Sequence, residues 1–301
     1  MTGKTLLITG ATGSFGRAFV RLLLTLNPHK VICFSRGEEK QVEMRRQFND
    51  DRLRFLIGDV RDRQRLWRAL NGVEVVIHAA ALKHVDVAEH DPIECIRTNV
   101  DGAQNLIDMA IDRGVKKVLA VSTDKAVNPV SLYGAAKLVA DKLFCAANAY
   151  SPGATAFSVI RYGNFLGSSE SVLPYFQRLI ASGQTWLPIT DFRMTRFFIT
   201  LDDAAQRALD ALDLMKGGEV FCPKMSAHRI IDLARSLKPD IELREVGMRP
   251  GEKLHEDMIL SGTAGVTETD SFYVVNGRKG NLLDESFSYS SDKEVREWAV
   301  L

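Results

Sequence analysis

Ser122-Thr123-Asp124-Lys125 and Tyr133-Gly134-Ala135-Ala136-Lys137 bring the residue types of an acid–base catalyst into one short stretch. Tyr133 and Lys137 stand at i and i+4 of a helical pattern, so they share a face. A phenol beside an ammonium is a usable base near neutral pH, because the positive charge favours the phenolate. Asp124 adds an acid and Lys125 a second amine, both following the apolar run Val118–Val121, which reads as the end of a buried strand. The plainer reading of Asp124 and Lys125 is a solvated ion pair at a strand end. A reaction that uses all of these groups must move several protons at one site.

The elements that position them alternate strand and helix. Thr5–Thr9 is a short apolar run followed by Gly10-Ala11-Thr12-Gly13-Ser14-Phe15-Gly16 and a helical pattern through Leu24. A strand, a glycine turn and a helix form a cradle in which a pyrophosphate can approach the backbone and meet free N–H groups at the helix start. Further strands are predicted at Val31–Phe34, Leu53–Ile57, Val73–His78 and Ala156–Arg161, besides the one ending in Ser122. Pro129 delays the helix after that strand, and Ser131 is its candidate cap. The alternation implies an α/β fold with a doubly wound, Rossmann-like parallel sheet. Past Tyr162 helices at Val172–Ala181, Leu201–Met215 and Ala227–Leu237 alternate with short strands near Phe197–Ile199, Val220–Phe221 and Ile241–Val246. We therefore expect a cofactor-binding domain over residues 1–161 and a smaller α/β substrate domain over 162–301, interleaved with it; the polar stretch from Ser261 is poorly periodic.

Composition narrows the function. Over 301 residues an apolar content of 46% supports a substantial core. A net charge of +1 gives no electrostatic argument for nucleic acid or an anionic membrane. Cys33, Cys95, Cys145 and Cys222 are scattered, without the spacing of a zinc site or a disulfide framework, so no metal is expected and a reducing, cytoplasmic setting is. The strand pattern begins at Thr5 and charges interrupt every long apolar run, so neither a signal peptide nor a membrane span is expected.

Around the glycine turn lie the candidate cofactor contacts. The second strand ends in Ser35-Arg36-Gly37 with Lys40 a turn later, where NAD-specific folds place an acid. A hydroxyl, a guanidinium and an ammonium suit a 2′-phosphate, so NADP is expected in preference to NAD; as a solvated loop, Arg36 carries no such meaning. Asp59, beside Val60, suits an adenine amino group or a cap for a helix over Arg61–Leu70. Ala79-Ala80-Ala81 leaves room at a strand end where such sheets bind ligands, and Lys83 follows as a pocket cation; His84 is ordinary by comparison. Asn99 suits the orientation of the active-site lysine or a plain helix position, and Arg249-Pro250-Gly251-Glu252-Lys253 is a rigid turn able to clamp a diphosphate or ribose, or a surface turn.

Thr9-Gly10-x-x-Gly13-x-x-Gly16 with Tyr133-x-x-x-Lys137 resembles the extended short-chain dehydrogenase/reductases. Gly13–Gly16, Phe55–Asp62, Ala79–His84, Ser122–Pro129, Arg161–Asn164, Asp191–Arg196 and Arg249–His255 together resemble the inverting UDP-N-acetylglucosamine 4,6-dehydratases that open pseudaminic acid biosynthesis. Asp124-Lys125 is the inverting pair; retaining relatives carry Asp-Glu there. The resemblance implies that Tyr133 takes the proton of the sugar's 4-hydroxyl as NADP+ takes hydride from C4. It further implies that Lys125 removes the C5 proton, Asp124 protonates the departing 6-hydroxyl, and hydride returns to C6. Thr123 would bond the 4-oxygen, and Lys137 the nicotinamide ribose while lowering the pKa of Tyr133. For Lys125 to be a base its own pKa must fall. Asn164 and Arg249 would meet the diphosphate and Glu252 the uridine, and members associate through helices into homo-oligomers. The chain departs from the family at Gly37, where an aspartate is usual, and at Ser169-Glu170, where the family has Arg-Gly. A 4-epimerase or a simple oxidoreductase needs only Tyr133 and Lys137, and a dinucleotide-sensing protein needs neither.

Overall fold

In the computed structural model, residues 1–169 and 171–298 are described; Glu170, one half of the Ser169-Glu170 departure, lies outside the described residues. The first half runs β1 (Thr5–Thr9), α1 (Ser14–Thr25), β2 (Lys30–Ser35), α2 (Glu38–Phe48), β3 (Leu53–Ile57), α3 (Arg63–Ala69), β4 (Val75–His78), α4 (Val85–His90), α5 (Pro92–Ile96), α6 (Gly102–Asp112), β5 (Lys117–Thr123), α7 (Leu132–Ala146) and β6 (Ala156–Tyr162). The second half runs β7 (Asn164–Phe165), α8 (Val172–Ala181), β8 (Trp186–Ile189), β9 (Thr195–Ile199), α9 (Leu201–Leu214), β10 (Val220–Pro223), β11 (Ser226–Arg229), α10 (Ile230–Leu237), β12 (Glu242–Glu245), β13 (Asp257–Ile259), β14 (Val266–Glu268), β15 (Phe272–Val275), β16 (Asn281–Leu282) and β17 (Tyr289–Ser290).

The main sheet has the order β16-β14-β15-β10-β6-β5-β4-β1-β2-β3. From β3 to β10 every pair is parallel, and the strand order reverses between β1 and β4. That reversal opens a crevice at the carboxyl ends of β1 and β4, where folds of this kind bind ligands. Inside the β3 edge both faces are covered, so these strands are almost continuously apolar and their central residues are fully buried, as at Leu6, Leu7, Ile8, Val76 and Ile77. The parallel, doubly wound sheet expected from the alternation is present. Three antiparallel strands from the polar tail, β15, β14 and β16, extend it past β10. They are too short for a period-two pattern to stand out, which is why the stretch from Ser261 reads as irregular.

A second core, with Phe176, Leu187, Ile189, Phe198 and Leu233 at its centre, lies among α8, α10, β8 and β9. The helix expected over Ala227–Leu237 starts later, because Ser226–Arg229 pairs antiparallel with β9. Among the described residues no helix is long and apolar enough to cross a membrane, and no cluster of His, Cys, Asp or Glu has the arrangement to hold a metal.

The wall of the crevice is pinned by one buried hydroxyl. Thr9 Oγ1 accepts from the backbone N–H of Ala79 and of Ala80, each at 3.1 Å. Both lone pairs are then used, so its own proton goes to His78 Nδ1 at 2.8 Å, and that nitrogen must be unprotonated. Burial in turn pushes the fully enclosed imidazole down to about 3, with the Lys137 charge acting the same way. An unfolded chain takes up this proton near pH 6.5. The contribution of His78 is therefore complete above pH 6.5 and is lost as pH falls from there towards 3. Urea unfolding should show about 1.4 kcal/mol of lost stability per pH unit from this group across that window. The slope should flatten by one proton in His78→Gln; an unchanged slope would show that the ring protonates within the fold.

Candidate active site

The cradle is built as the glycine spacing requires. Gly10 has φ +68°, and a Cβ on it would lie 2.7 Å from Ala79 O; one on Gly16 would lie 2.6 Å from Ala11 O. No side chain caps α1 at Gly13, which leaves the first N–H groups of the helix for an anion. A cleft of about 850 Å³ opens there, lined among others by Gly10, Gly13, Ser14, Phe15, Gly16, Ser35, Arg36, Lys40, Asp59, Val60, Ala79, Ala80, Ala81 and Lys83. Size, glycine cradle and free helix terminus fit a dinucleotide. Segment 165–169 crosses the cleft: Ser169 N–H reaches Ser14 Oγ at 3.4 Å, and Lys83 Nζ donates to Ser169 O at 3.3 Å.

Asn99 stands apart from the cleft lining. It sits in a π-helical turn, Arg97–Asp101, between α5 and α6. Its amide takes the Leu82 N–H and donates to the Leu82 carbonyl, both at 2.9 Å, so it clamps the loop after β4 rather than the lysine. Asp59 is not the helix cap; Asp62 caps α3 by accepting from Arg65 N. Asp59 instead binds the Arg61 guanidinium at 2.7 Å and lies 3.9 Å from Arg36. Burial would raise its carboxyl, and the hydrogen bonds from Arg61 hold it below the usual range.

Beyond the cleft, β5 ends in Thr123 and a single 3-10 turn carries Asp124–Ala126. Ser131 caps α7 through Gly134 N–H, as its position predicts. The helix then packs so tightly on the turn that a Cβ on Gly134 would fall 2.3 Å from Lys125 O. Thr123, Asp124, Lys125 and Tyr133 thus meet at one point. Lys125 Nζ donates to Asp124 Oδ1 at 3.0 Å and to Asn164 Oδ1 at 3.4 Å, and Thr123 Oγ1 donates to Asp124 Oδ1 at 3.0 Å. Asp124 is fully buried, and its Oδ2 has no hydrogen-bond partner in the fold. An orphaned buried carboxylate oxygen is costly unless it carries a proton or meets a ligand. Burial raises the Asp124 pKa, the Lys125 charge opposes it, and Glu256 raises it further.

The electrostatics revise two expectations. Burial alone would lower Lys125, yet Asp124, and Glu256 at 3.6 Å, raise it above an ordinary lysine, so its resting form is the ammonium. Tyr133 is pushed by burial up to about 12, and the cation that pulls it back is Lys125, with a hydrogen bond from Thr123 acting the same way. Lys137 donates to Val121 O at 2.8 Å and is lowered by burial, with Asp141 opposing.

Three charged residues complete the site: Lys253 from the Arg249–Lys253 turn, Arg196 from the end of the Asp191–Arg196 stretch, and Glu256, which the sequence did not single out. Glu256 is 1% exposed and pairs with Lys253 Nζ at 2.8 Å, and Arg196 Nε stands 4.0 Å from it. The Arg196 guanidinium also holds the Thr195, Leu254 and Lys253 carbonyls. The only available signal was the convergence of charges before an apolar strand. Arg249 and Glu252 close their own turn, the Arg249 N–H donating to Glu252 Oε2 at 3.2 Å. Gly251, at φ +79°, brings that turn against Ser131 and Val85 at the start of α7 and α4.

Residues 6–277 match the family described as Polysaccharide biosynthesis protein. The chain is 49% identical to UDP-N-acetylglucosamine 4,6-dehydratase (inverting) of Campylobacter jejuni subsp. jejuni serotype O:23/36, over 99% of this chain and 95% of that protein. It is 38% identical to UDP-glucose 4-epimerase of Rickettsia prowazekii, over 98% and 94%. Among solved structures it resembles DesIV, a dTDP-glucose 4,6-dehydratase from Streptomyces venezuelae. The TM-score is 0.76 and the identity 28%, covering 83% of this chain and 86% of that one.

DesIV was solved with NAD bound, and this overturns the expectation of NADP. The local reason is visible here. Ser35 Oγ already accepts from Gln41 Nε2 at 2.9 Å, and Arg36 faces the Asp59 carboxylate. Glu38 and Glu39, in the first turn of α2, line the same end of the cleft. A 2′-phosphate there would meet an Arg36 that already faces a carboxylate, with Glu38 and Glu39 lining the same cleft.

Proposed function

Because the chain belongs to the polysaccharide biosynthesis protein family and is an extended short-chain dehydrogenase/reductase of the dehydratase type, we propose that it is an inverting nucleotide-sugar 4,6-dehydratase. Its substrate is a UDP-N-acetylhexosamine, UDP-N-acetylglucosamine being the one its Campylobacter relative is named for. The observation that carries this reading is the pairing of fully buried Asp124 with half-buried Lys125 beside Tyr133. Epimerisation or simple oxidation at C4 uses a Tyr and a Lys, and has no use for a second acid–base pair.

The Gly10–Gly16 cradle would hold NAD, which when bound would supply the hydride chemistry between C4 and C6. The residues handle the protons. Tyr133 Oη takes the 4-hydroxyl proton, and Thr123 orients that oxygen. Ionised Tyr133 is scarce near neutral pH and strongly basic when it forms. Elimination across C5–C6 needs a base for the C5 proton and an acid for the leaving hydroxyl. Transfer of one proton along the 3.0 Å contact from Lys125 Nζ to Asp124 Oδ1 turns the ion pair into a neutral amine and a neutral acid. That form supplies both needs at once, and a substrate that excludes water favours it over the separated charges. Lys125 then removes the C5 proton while Asp124 protonates the 6-oxygen. Return of a proton to C5 from the opposite face inverts the centre.

We extend the proposal to a homo-oligomer. Exposed Val87, Ile93 and Val139 lie on α4, α5 and α7, which pack on one another and leave an apolar surface for a second copy.

Proton NMR of the protein with UDP-N-acetylglucosamine in deuterium oxide, without added reductant, tests the reading. The expected product is the 4-keto-6-deoxy sugar with deuterium at C5 and L-arabino configuration, from protein that releases NAD on denaturation. A D-xylo product would remove the role given to Lys125, and a 4-epimer retaining its 6-oxygen would replace the dehydratase with an epimerase.

A further inference from the structure

Glu256 is not needed by the reaction as written, yet it is more deeply buried than Lys125 and faces it. It reaches the site from the segment leading into β13, remote in sequence from the β5 turn. Its backbone is fixed from the tail: Glu256 N–H donates to Ser291 Oγ at 2.8 Å, and Ser290 Oγ donates to Glu256 O at 3.4 Å. Its carboxylate lies against Lys253 at 2.8 Å, Lys125 at 3.6 Å and Arg196 at 4.0 Å. Lys253 is itself anchored, donating to Val127 O at 2.8 Å just past the 3-10 turn.

We propose that Glu256 is a positioning residue for the elimination step: its anchored carboxylate holds the Lys125 ammonium against Asp124 and keeps one transferable proton in that pair. This deepens the dehydratase reading and rests on it. The charge balance makes the case. Lys125 touches Asp124, while Lys253 and Arg196 stand against Glu256, and Arg196 lowers the proton affinity of Lys125. Without Glu256 the pair would lose the anion that raises both of its members, leaving Arg196 unopposed beside it, and its one proton would be held less tightly. The groups that face the pair are Asp124 and Lys125 themselves, Tyr133 from α7, Arg196 from β9, and Glu256 and Lys253 from the segment before β13. Glu256 is the one carboxylate among the described residues that acts on both members, and it raises the proton affinity of each.

The sign of the test follows. The pair is active when it holds one proton, so its rate profile has an acid limb, where a second proton adds, and an alkaline limb, where the last is lost. A nearby anion raises both limbs, and removing it lowers both. The measurement is enzyme-catalysed deuterium exchange at C5 of the isolated 4-keto-6-deoxy product, followed by NMR across pH, which needs no hydride transfer. In Glu256→Gln both limbs should move to lower pH by about one unit. Glu256→Asp should restore most of the wild-type position. Lys253→Met, which removes a cation beside Glu256, should move both limbs a smaller distance to higher pH, and it decides the matter if Glu256→Gln fails to fold. A lower rate with unmoved limbs, or limbs that move in opposite directions, would reduce Glu256 to a packing role. The two readings fail separately: wild-type protein that makes no 4-keto-6-deoxy sugar overturns the dehydratase. Wild-type turnover with unmoved limbs in the variants overturns only the role of Glu256.

Discussion

Replacing Tyr133 by phenylalanine should lower kcat on UDP-N-acetylglucosamine by roughly 10²–10⁴-fold, the range for loss of a positioned general base. On the proposed reading the Tyr133 hydroxyl takes the proton of the sugar's 4-oxygen, and burial leaves little water to substitute for it. The fold should hardly notice. The ring is almost wholly enclosed and phenylalanine fills the same space, so the loss is one hydrogen bond with Thr123, about 1 kcal/mol. NAD content should be unchanged, because the glycine cradle and the uncapped start of α1 are untouched by the substitution. Three measurements on one preparation therefore separate chemistry from folding and binding: steady-state kinetics, a thermal melt and the dinucleotide released on denaturation. A variant that keeps more than a tenth of wild-type kcat would show that another group accepts the 4-hydroxyl proton.

What the sequence revealed and what it hid follow one physical rule. Strands buried on both faces must be apolar throughout, so β1, β2 and β4 to β6 announce themselves as runs, and the turn after β1 needs glycine where a Cβ would strike the β4 exit. Local spacing was enough to bring Tyr133 to one face of α7 and to cap that helix with Ser131. Partners from distant segments were not legible. Arg36 next to Ser35 reads as a phosphate site until Asp59, from the end of the neighbouring strand, is seen to face it. Lys125 reads as an amine with a lowered pKa until the fold holds Asp124 against it, with Glu256, from the other half of the chain, adding to the rise. Electrostatic character belongs to the assembled cluster, and in this site the cluster draws on β5, α7, β7, β9 and the approach to β13. Short antiparallel strands such as β14 and β16 were hidden for a different reason: two or three residues cannot display a period.

Replacing Lys125 by methionine should have the largest effect of any single change. Dehydration and deuterium exchange at C5 should both fall by at least about 10³-fold, because the substitution takes the base and also the donor that reprotonates Asp124. Acid and base here share one proton across 3.0 Å, so they act as a unit, and Asp124→Asn combined with Lys125→Met should be scarcely worse than Lys125→Met alone. Stability carries a second, independent signature. In the wild type burial raises the Asp124 pKa, and Lys125 is the charge that restrains the rise. Methionine removes the restraint and leaves Asp124 and Glu256 facing each other inside the protein, which drives Asp124 further towards its neutral form. A carboxyl whose folded pKa lies above its unfolded value contributes stability that is complete below the unfolded value, here 3.8, and is lost as pH rises through the folded one. Lys125→Met should therefore melt at progressively lower temperature than the wild type as pH is raised from acid to neutral, the gap closing again at low pH. A melting difference that stays constant with pH would mean that Asp124 is ionised with or without its lysine, and it could not then be the acid of the elimination.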